Sequence, residues 1–103
     1  MKDLSHDEAM ADLFREDPAT AAATLDAILA DGDHGELLVT LRQMTKAFGG
    51  VSAVAREAEL NPTQLYRTLS EKGNPELRSL SAVLRAMGLR LAVQPISEAV
   101  PHV

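Results

Sequence analysis

The chain has 103 residues, 46% of them hydrophobic and 24% charged, which suits one folded core and leaves no room for a second. It contains no cysteine, so a disulfide framework, a thiolate nucleophile and a cysteine metal site are all excluded. No apolar run nears the ~20 residues of a membrane-spanning helix and no signal-peptide pattern opens the chain, so the expected compartment is the cytoplasm.

The net charge of −5 argues, taken whole, against a partner made of nucleic acid. Its distribution along the chain removes that objection. Residues 1–36 carry ten acids and two bases, a net of −8, whereas residues 37–103 carry eight bases and five acids, a net of +3. Such a chain can offer an acidic lobe to one partner and a mildly basic lobe to another, although solvated helix faces would produce the same asymmetry. The aromatics are Phe14, Phe48 and Tyr66, too few for a sheet that stacks the bases of single-stranded RNA.

The predicted elements are a run of capped helices. Ser5 and Glu8 form a capping-box pattern that opens a helix with Met10, Leu13 and Phe14 on one face. Asp17-Pro18 opens a second, which buries Leu25, Ile28 and Leu29 and stops at a left-handed Gly32. Asp33 and Glu36 box the start of a long third helix, with Leu37, Leu38, Leu41, Met44 and Phe48 at helical spacing and Gly49-Gly50 at its end. Ser52 is expected to cap a short helix to about Ala58, and Asn61-Pro62 the next, to about Ser70.

Gly73-Asn74-Pro75 is a turn into a further helix, with Leu77, Leu80, Val83, Leu84 and Met87 inward and Gly88 as its stop. From Leu89 to Gln94 the period changes to two, with Leu89, Leu91 and Val93 on one side and Pro95 ending the run, which reads as a short strand. Nothing else in the chain resembles a partner for it. A strand must satisfy its backbone, so it pairs either with its own copy across a dimer or, as an extended tail, with water. Residues 1–96 thus form one domain and residues 97–103 a flexible tail.

Residues 51–70 carry the chemistry, because they fit a helix-turn-helix. Ala55 lets two short helices cross closely, Val54 and Ala58 face inward with it, Leu60 plugs the turn, and Leu65 and Leu69 anchor the second helix. Thr63, Gln64, Arg67 and Thr68 are then left to project outward, where a recognition helix meets base edges in the major groove. Arg67 can fork onto guanine O6 and N7, and Gln64 matches adenine N6 and N7. Thr63 suits a base, a thymine methyl or a phosphate, and Tyr66 can offer its hydroxyl to phosphate with its ring packed inward. Ser52 and Arg56 on the first helix, with Arg42, Lys46 and Lys72, are candidates for the phosphate backbone.

Each assignment has a plainer competitor. Gln64 can complete a capping box with Asn61, Arg67 can pair with Glu71, and Tyr66 can belong to the core. Glu59 stands where the turn usually holds Gly, and Thr68 is polar where many such helices are apolar, which shifts the anchoring role to Leu69.

Catalysis finds no support. His6, His34 and His102 are scattered without metal-ligand spacing, Asp31, Asp33 and Glu36 sit where capping explains them, and no Gly-rich phosphate loop follows a strand. No enzyme, metal or cofactor is expected.

The stretch from Asp17-Pro18 to Pro95 resembles the addiction-module antidote proteins, HigA-type antitoxins of the wider Xre, lambda-repressor-like family. The matching residues are Asp31-Gly32, Glu36-Leu37-Leu38, Leu41-Arg42-Gln43, Ala47-Phe48-Gly49-Gly50 and Val54-Ala55. They continue through Leu65-Tyr66-Arg67-Thr68-Leu69-Ser70, Gly73-Asn74-Pro75 and Gly88-Leu89-Arg90-Leu91. The resemblance implies an all-α, dimeric helix-turn-helix repressor, with extra N-terminal helices, that binds its own operator DNA and neutralises a toxin of the RelE/ParE type. By matching position it implies DNA contacts from Thr63, Gln64, Tyr66 and Arg67, with Asn74 near a phosphate. The rival readings are a module that binds only protein and a stand-alone, prophage-type regulator without a toxin.

Overall fold

In the computed structural model, which describes residues 6–70 and 72–96, the described residues form six helices and no strand. They are α1 (His6–Glu16), α2 (Pro18–Asp31), α3 (His34–Ala47), α4 (Val51–Ala58), α5 (Pro62–Thr68) and α6 (Leu77–Ala86). Residues 89–96 are neither helix nor strand. The capping position at Ser5, the pairing of Arg67 with Glu71 and the tail 97–103 lie outside the described residues.

Three helices start where a side-chain acceptor meets free N–H groups. Asp17 accepts from the backbone N–H of Thr20 at 3.2 Å and from its hydroxyl at 2.6 Å, with Pro18 in the first turn. Asp33 and Glu36 make both halves of a capping box, at 2.8 and 3.3 Å. Asn61 accepts from the N–H of Gln64 at 2.9 Å. The expectation for α4 needs correcting. Gly50, not Ser52, holds its cap position, no side chain caps it, and Ser52 lies inside the first turn. Gly49 and Gly50 both have positive φ, which turns the chain into the helix before Ser52 is reached.

The ends of α3, α4 and α6 share one geometry. In each, a left-handed residue donates to the carbonyl three residues before it, and the next residue donates to the carbonyl five residues before itself, the Schellman arrangement. At α3 the bonds are Gly49 to Lys46 and Gly50 to Thr45; at α6 they are Gly88 to Arg85 and Leu89 to Leu84. At α4 they are Glu59 to Arg56 and Leu60 to Ala55, with Glu59 at φ 60° and ψ 43°. Gly32 departs from expectation: its φ of −87° and ψ of 178° are extended, because the chain must run straight into the Asp33 cap. Space is tight there: an added Cβ would come within 2.5 Å of the Glu36 carboxylate, displacing it from its half of the capping box, and 3.0 Å from the Ile28 carbonyl.

The core centres on α3, which packs against α1, α2 and α4 and buries Leu38, Leu41, Met44 and Ala47. Phe14 and Ala11 of α1, Ala21 and Leu25 of α2, Val54 and Ala55 of α4, Leu65 and Leu69 around α5, and Val83, Leu84 and Met87 around α6 complete one cluster. Arg15 ties α1 to the end of α3, its Nε donating to the Ala47 carbonyl at 3.2 Å, where a cation also complements the helix dipole. Leu13, Leu29, Phe48 and Leu77, all expected inside, are exposed. The buried stripes of α1 and α2 are narrow, carried by the pairs Ala11/Phe14 and Ala21/Leu25, while Phe48 and Leu77 stand at helix ends.

Two expected outcomes follow from these termini. Left-handed backbone costs a residue with a Cβ roughly 1–2 kcal/mol, so Glu59→Gly should raise stability by roughly 1 kcal/mol, read as a higher urea midpoint at unchanged slope. A lower midpoint would show that Glu59 makes a compensating contact. The Thr20 hydroxyl and then its N–H hold the Asp17 carboxyl below the ordinary value of 3.8. The folded pKa is therefore depressed, and the stabilisation is complete above the ordinary value and disappears as pH falls through the folded one. Asp17→Asn keeps the cap without the titration, so the gap in melting temperature between wild type and this variant should close on acidification through that window. A gap that stays constant in circular-dichroism melts would refute the assignment.

Candidate nucleic-acid interface

α5 has only seven residues, too few to persist alone in water, and its outer face is defined by what it buries. Leu65 and Leu69 enter the core, which leaves Thr63, Gln64, Tyr66 and Arg67 exposed on the other side. Thr68, expected outward, is half-buried, because it backs onto the turn that follows. Tyr66 is 69% exposed, so its ring does not pack inward as expected. Gln64 is joined to Asn61 through its backbone N–H, the side-chain acceptor belonging to Asn61.

An open cleft runs along this face, lined by Val51, Ser52, Pro62, Thr63, Tyr66, Arg67 and Ser70. It brings Ser52, Thr63, Tyr66 and Arg67 together, and the uncapped first turn of α4 borders it. Arg56, Gln64, Lys72 and Asn74 are exposed but do not line it. Ser70 is an addition to the residues expected there. Its hydroxyl donates to the Arg67 carbonyl at 2.6 Å, closing the end of α5, and only its place one turn beyond Arg67 hinted at the cleft.

The exit from α5 is held by α3. Arg42, a phosphate candidate by its charge, instead donates its Nη1 to the Leu69 carbonyl and is half-buried. His34 at the start of α3 donates its Nε2 proton to the Gly73 carbonyl at 2.8 Å. Gly73 itself lies against α5, so that an added Cβ would fall 1.7 Å from the Thr68 carbonyl oxygen. These contacts tie the turn after α5 to α3, while α5 itself packs against α4. Lys46 remains exposed near the end of α3. Among the described residues there is no cluster of His, Asp and Glu fit to hold a metal and no helix long and apolar enough to cross a membrane.

A family model described as "Probable addiction module antidote protein" matches residues 6–95, nearly the whole chain. No curated protein and no solved structure shows a significant match.

The Arg42 contact is open to a direct test. A charged donor that satisfies a carbonyl contributes roughly 1.5–3 kcal/mol. Arg42→Met keeps the stem and removes the donor, so it should lower stability by about that amount in urea denaturation. An unchanged midpoint would return Arg42 to the surface cations.

Proposed function

The chain belongs to the family of probable addiction module antidote proteins, and we propose that it acts as an antitoxin that also represses its own operon by binding operator DNA. Membership of an antidote family implies a toxin partner in general; the proposal narrows it to a RelE/ParE-type toxin, met by the acidic first third of the chain. RNA-cleaving toxins are expected to be basic, and Glu16, Asp17, Asp26 and Asp31 are exposed on or beside α1 and α2.

The observation that carries the DNA reading is the division of α5. Its leucines are in the core, while Thr63, Gln64, Tyr66 and Arg67 are presented together on a helix whose exit is braced by α3. In this reading α4 and α5 are a lambda-repressor-like helix-turn-helix, with α5 in the major groove. Arg67 forks onto a guanine and Gln64 onto an adenine. Thr63 and Tyr66 reach adjacent bases or phosphates, and Ser52, Arg56, Lys72 and Asn74 meet the backbone. Two copies would set their α5 helices roughly 34–36 Å apart on a palindromic site. Arg42 and His34 act through α5 rather than on DNA. No group in the cleft is assigned a catalytic step, and the proposed setting is the cytoplasm.

The test is a fluorescence-anisotropy titration against DNA from the chain's own promoter region, with scrambled DNA as control, across a salt series. Promoter binding should be preferred and should fall steeply with salt. Arg67→Ala should cost roughly 1–3 kcal/mol of discrimination at one base pair. Equal, weak binding to both DNAs, with and without the neighbouring gene product, would leave a protein-binding module only.

A further inference from the structure

Three contacts fix Gly73 in the turn after α5. Its N–H donates to the Ser70 carbonyl at 2.8 Å, its Cα lies against the Thr68 carbonyl with no room for a side chain, and its own carbonyl accepts from His34 Nε2 at 2.8 Å. The next N–H, that of Asn74, has no acceptor among the described residues, and Asn74 is exposed. We propose that His34 is a positioning residue for DNA binding: by holding the Gly73 carbonyl it turns the Asn74 N–H outward, where that N–H donates to a phosphate. The inference rests on the DNA reading, in which Asn74 meets the backbone, and adds to it the group that makes the contact and the distant residue that orients it.

The peptide plane supplies the first reason. The carbonyl and the N–H of a trans peptide lie in one plane and point in opposite directions, and the Gly73–Asn74 peptide is trans. The Gly73 carbonyl is aimed at the first residue of α3, because its donor stands there. The Asn74 N–H is therefore aimed away from α3.

The neighbours supply the second. Pro75 holds its own φ, biases Asn74 to extended backbone and is seated in the seam with Leu41, Leu69 and Leu80. Gly73 is pressed against the end of α5, where only a glycine fits. That glycine brings a cost, since a residue without Cβ lets the peptide after it rotate freely. With both ends anchored, rotation of this one plane is the freedom left, and the imidazole bond removes it.

Chemistry supplies the third. A carbonyl only accepts, so His34 Nε2 carries a proton, and the ring is a rigid donor. The Asn74 N–H only donates, so its ligand is an acceptor. Lys72, two residues earlier, is exposed and forms no ion pair among the described residues, which favours an anionic acceptor over a neutral one. A main-chain donor beside a cation suits a phosphate oxygen, and such a contact positions the protein without reading sequence.

The experiment compares wild type, His34→Ala and His34→Gln by anisotropy titration against promoter duplexes that carry a neutral methylphosphonate at one phosphate at a time. Circular dichroism confirms that the helices persist. His34→Ala should bind the unmodified promoter roughly tenfold more weakly, the effect of one hydrogen bond to a charged group. It should also lose sensitivity at one phosphate that matters to wild type, while the other substitutions weaken it as they weaken wild type. His34→Gln, whose amide reaches the same carbonyl, should restore both. In the free protein, a long-range proton–nitrogen NMR spectrum should show His34 protonated at Nε2, and the Asn74 amide peak should move in His34→Ala and return in His34→Gln. A His34→Ala variant that binds like wild type, or weakens without losing one particular phosphate, would overturn the inference and leave the DNA reading standing. An Nδ1-protonated His34 would overturn it with no DNA present. Wild type without preference for the promoter would overturn the DNA reading, and this inference with it.

Discussion

The arrangement depends on one constraint, the bracing of a seven-residue helix by a longer one. A helix as short as α5 has no stability of its own, so its direction is whatever its neighbours impose. Asn61 caps its start, Leu65 and Leu69 sink it into the core, and Arg42 and His34 reach from α3 to the carbonyls at and beyond its end. α3 can serve as the brace because it is the most buried helix and is itself tied at its far end by Arg15. The direction of α5 is thus set by residues outside its exposed face, with α4 packed beside it and Gly73 lying close to the Thr68 carbonyl.

Much of this was legible in the sequence because helix termini obey local rules. Asp17, Asp33 and Asn61 announce their helices through acceptors that find N–H groups three residues on, an interaction that needs no knowledge of the rest of the fold. Glu59 is instructive in the other direction. The same Schellman end that glycine marks after α3 and α6 recurs after α4 without glycine, and only the register of the surrounding pattern located it. Gly32 misled for a related reason. Glycine signals either positive φ or lack of room, and the two are indistinguishable until the neighbours, here Glu36 and Ile28, are in place.

Burial was less legible, because periodicity finds the apolar face of a helix but not the extent of its cover. Leu29 and Leu77 sit on apolar faces that run past the elements packed against them, and Val93 repeats the lesson in a segment with period two. The candidate interface shows the same limit. Its outward residues follow from burying Leu65 and Leu69, a local inference that holds for Thr63, Gln64 and Arg67. What the sequence hid was long-range. Arg42 lies 27 residues from Leu69 and His34 lies 39 from Gly73, so nothing in local spacing separates a brace from a surface cation or a stray histidine.

Under the proposed function, DNA reading requires two copies for reasons of binding strength. Residues 52–72 carry three bases and three acids, so one copy has little attraction for phosphate beyond what individual contacts supply. One recognition helix with one guanidinium fork provides roughly 1–3 kcal/mol of discrimination per correctly read base, modest against the excess of non-specific sites. Weak half-sites become a useful reader only when joined rigidly, so that engagement of the first raises the effective concentration of the second. α6 packs on α4, so under the proposed function a joint between copies at the C-terminal end of the bundle would reach the proposed reading face through packed helices rather than a loose linker.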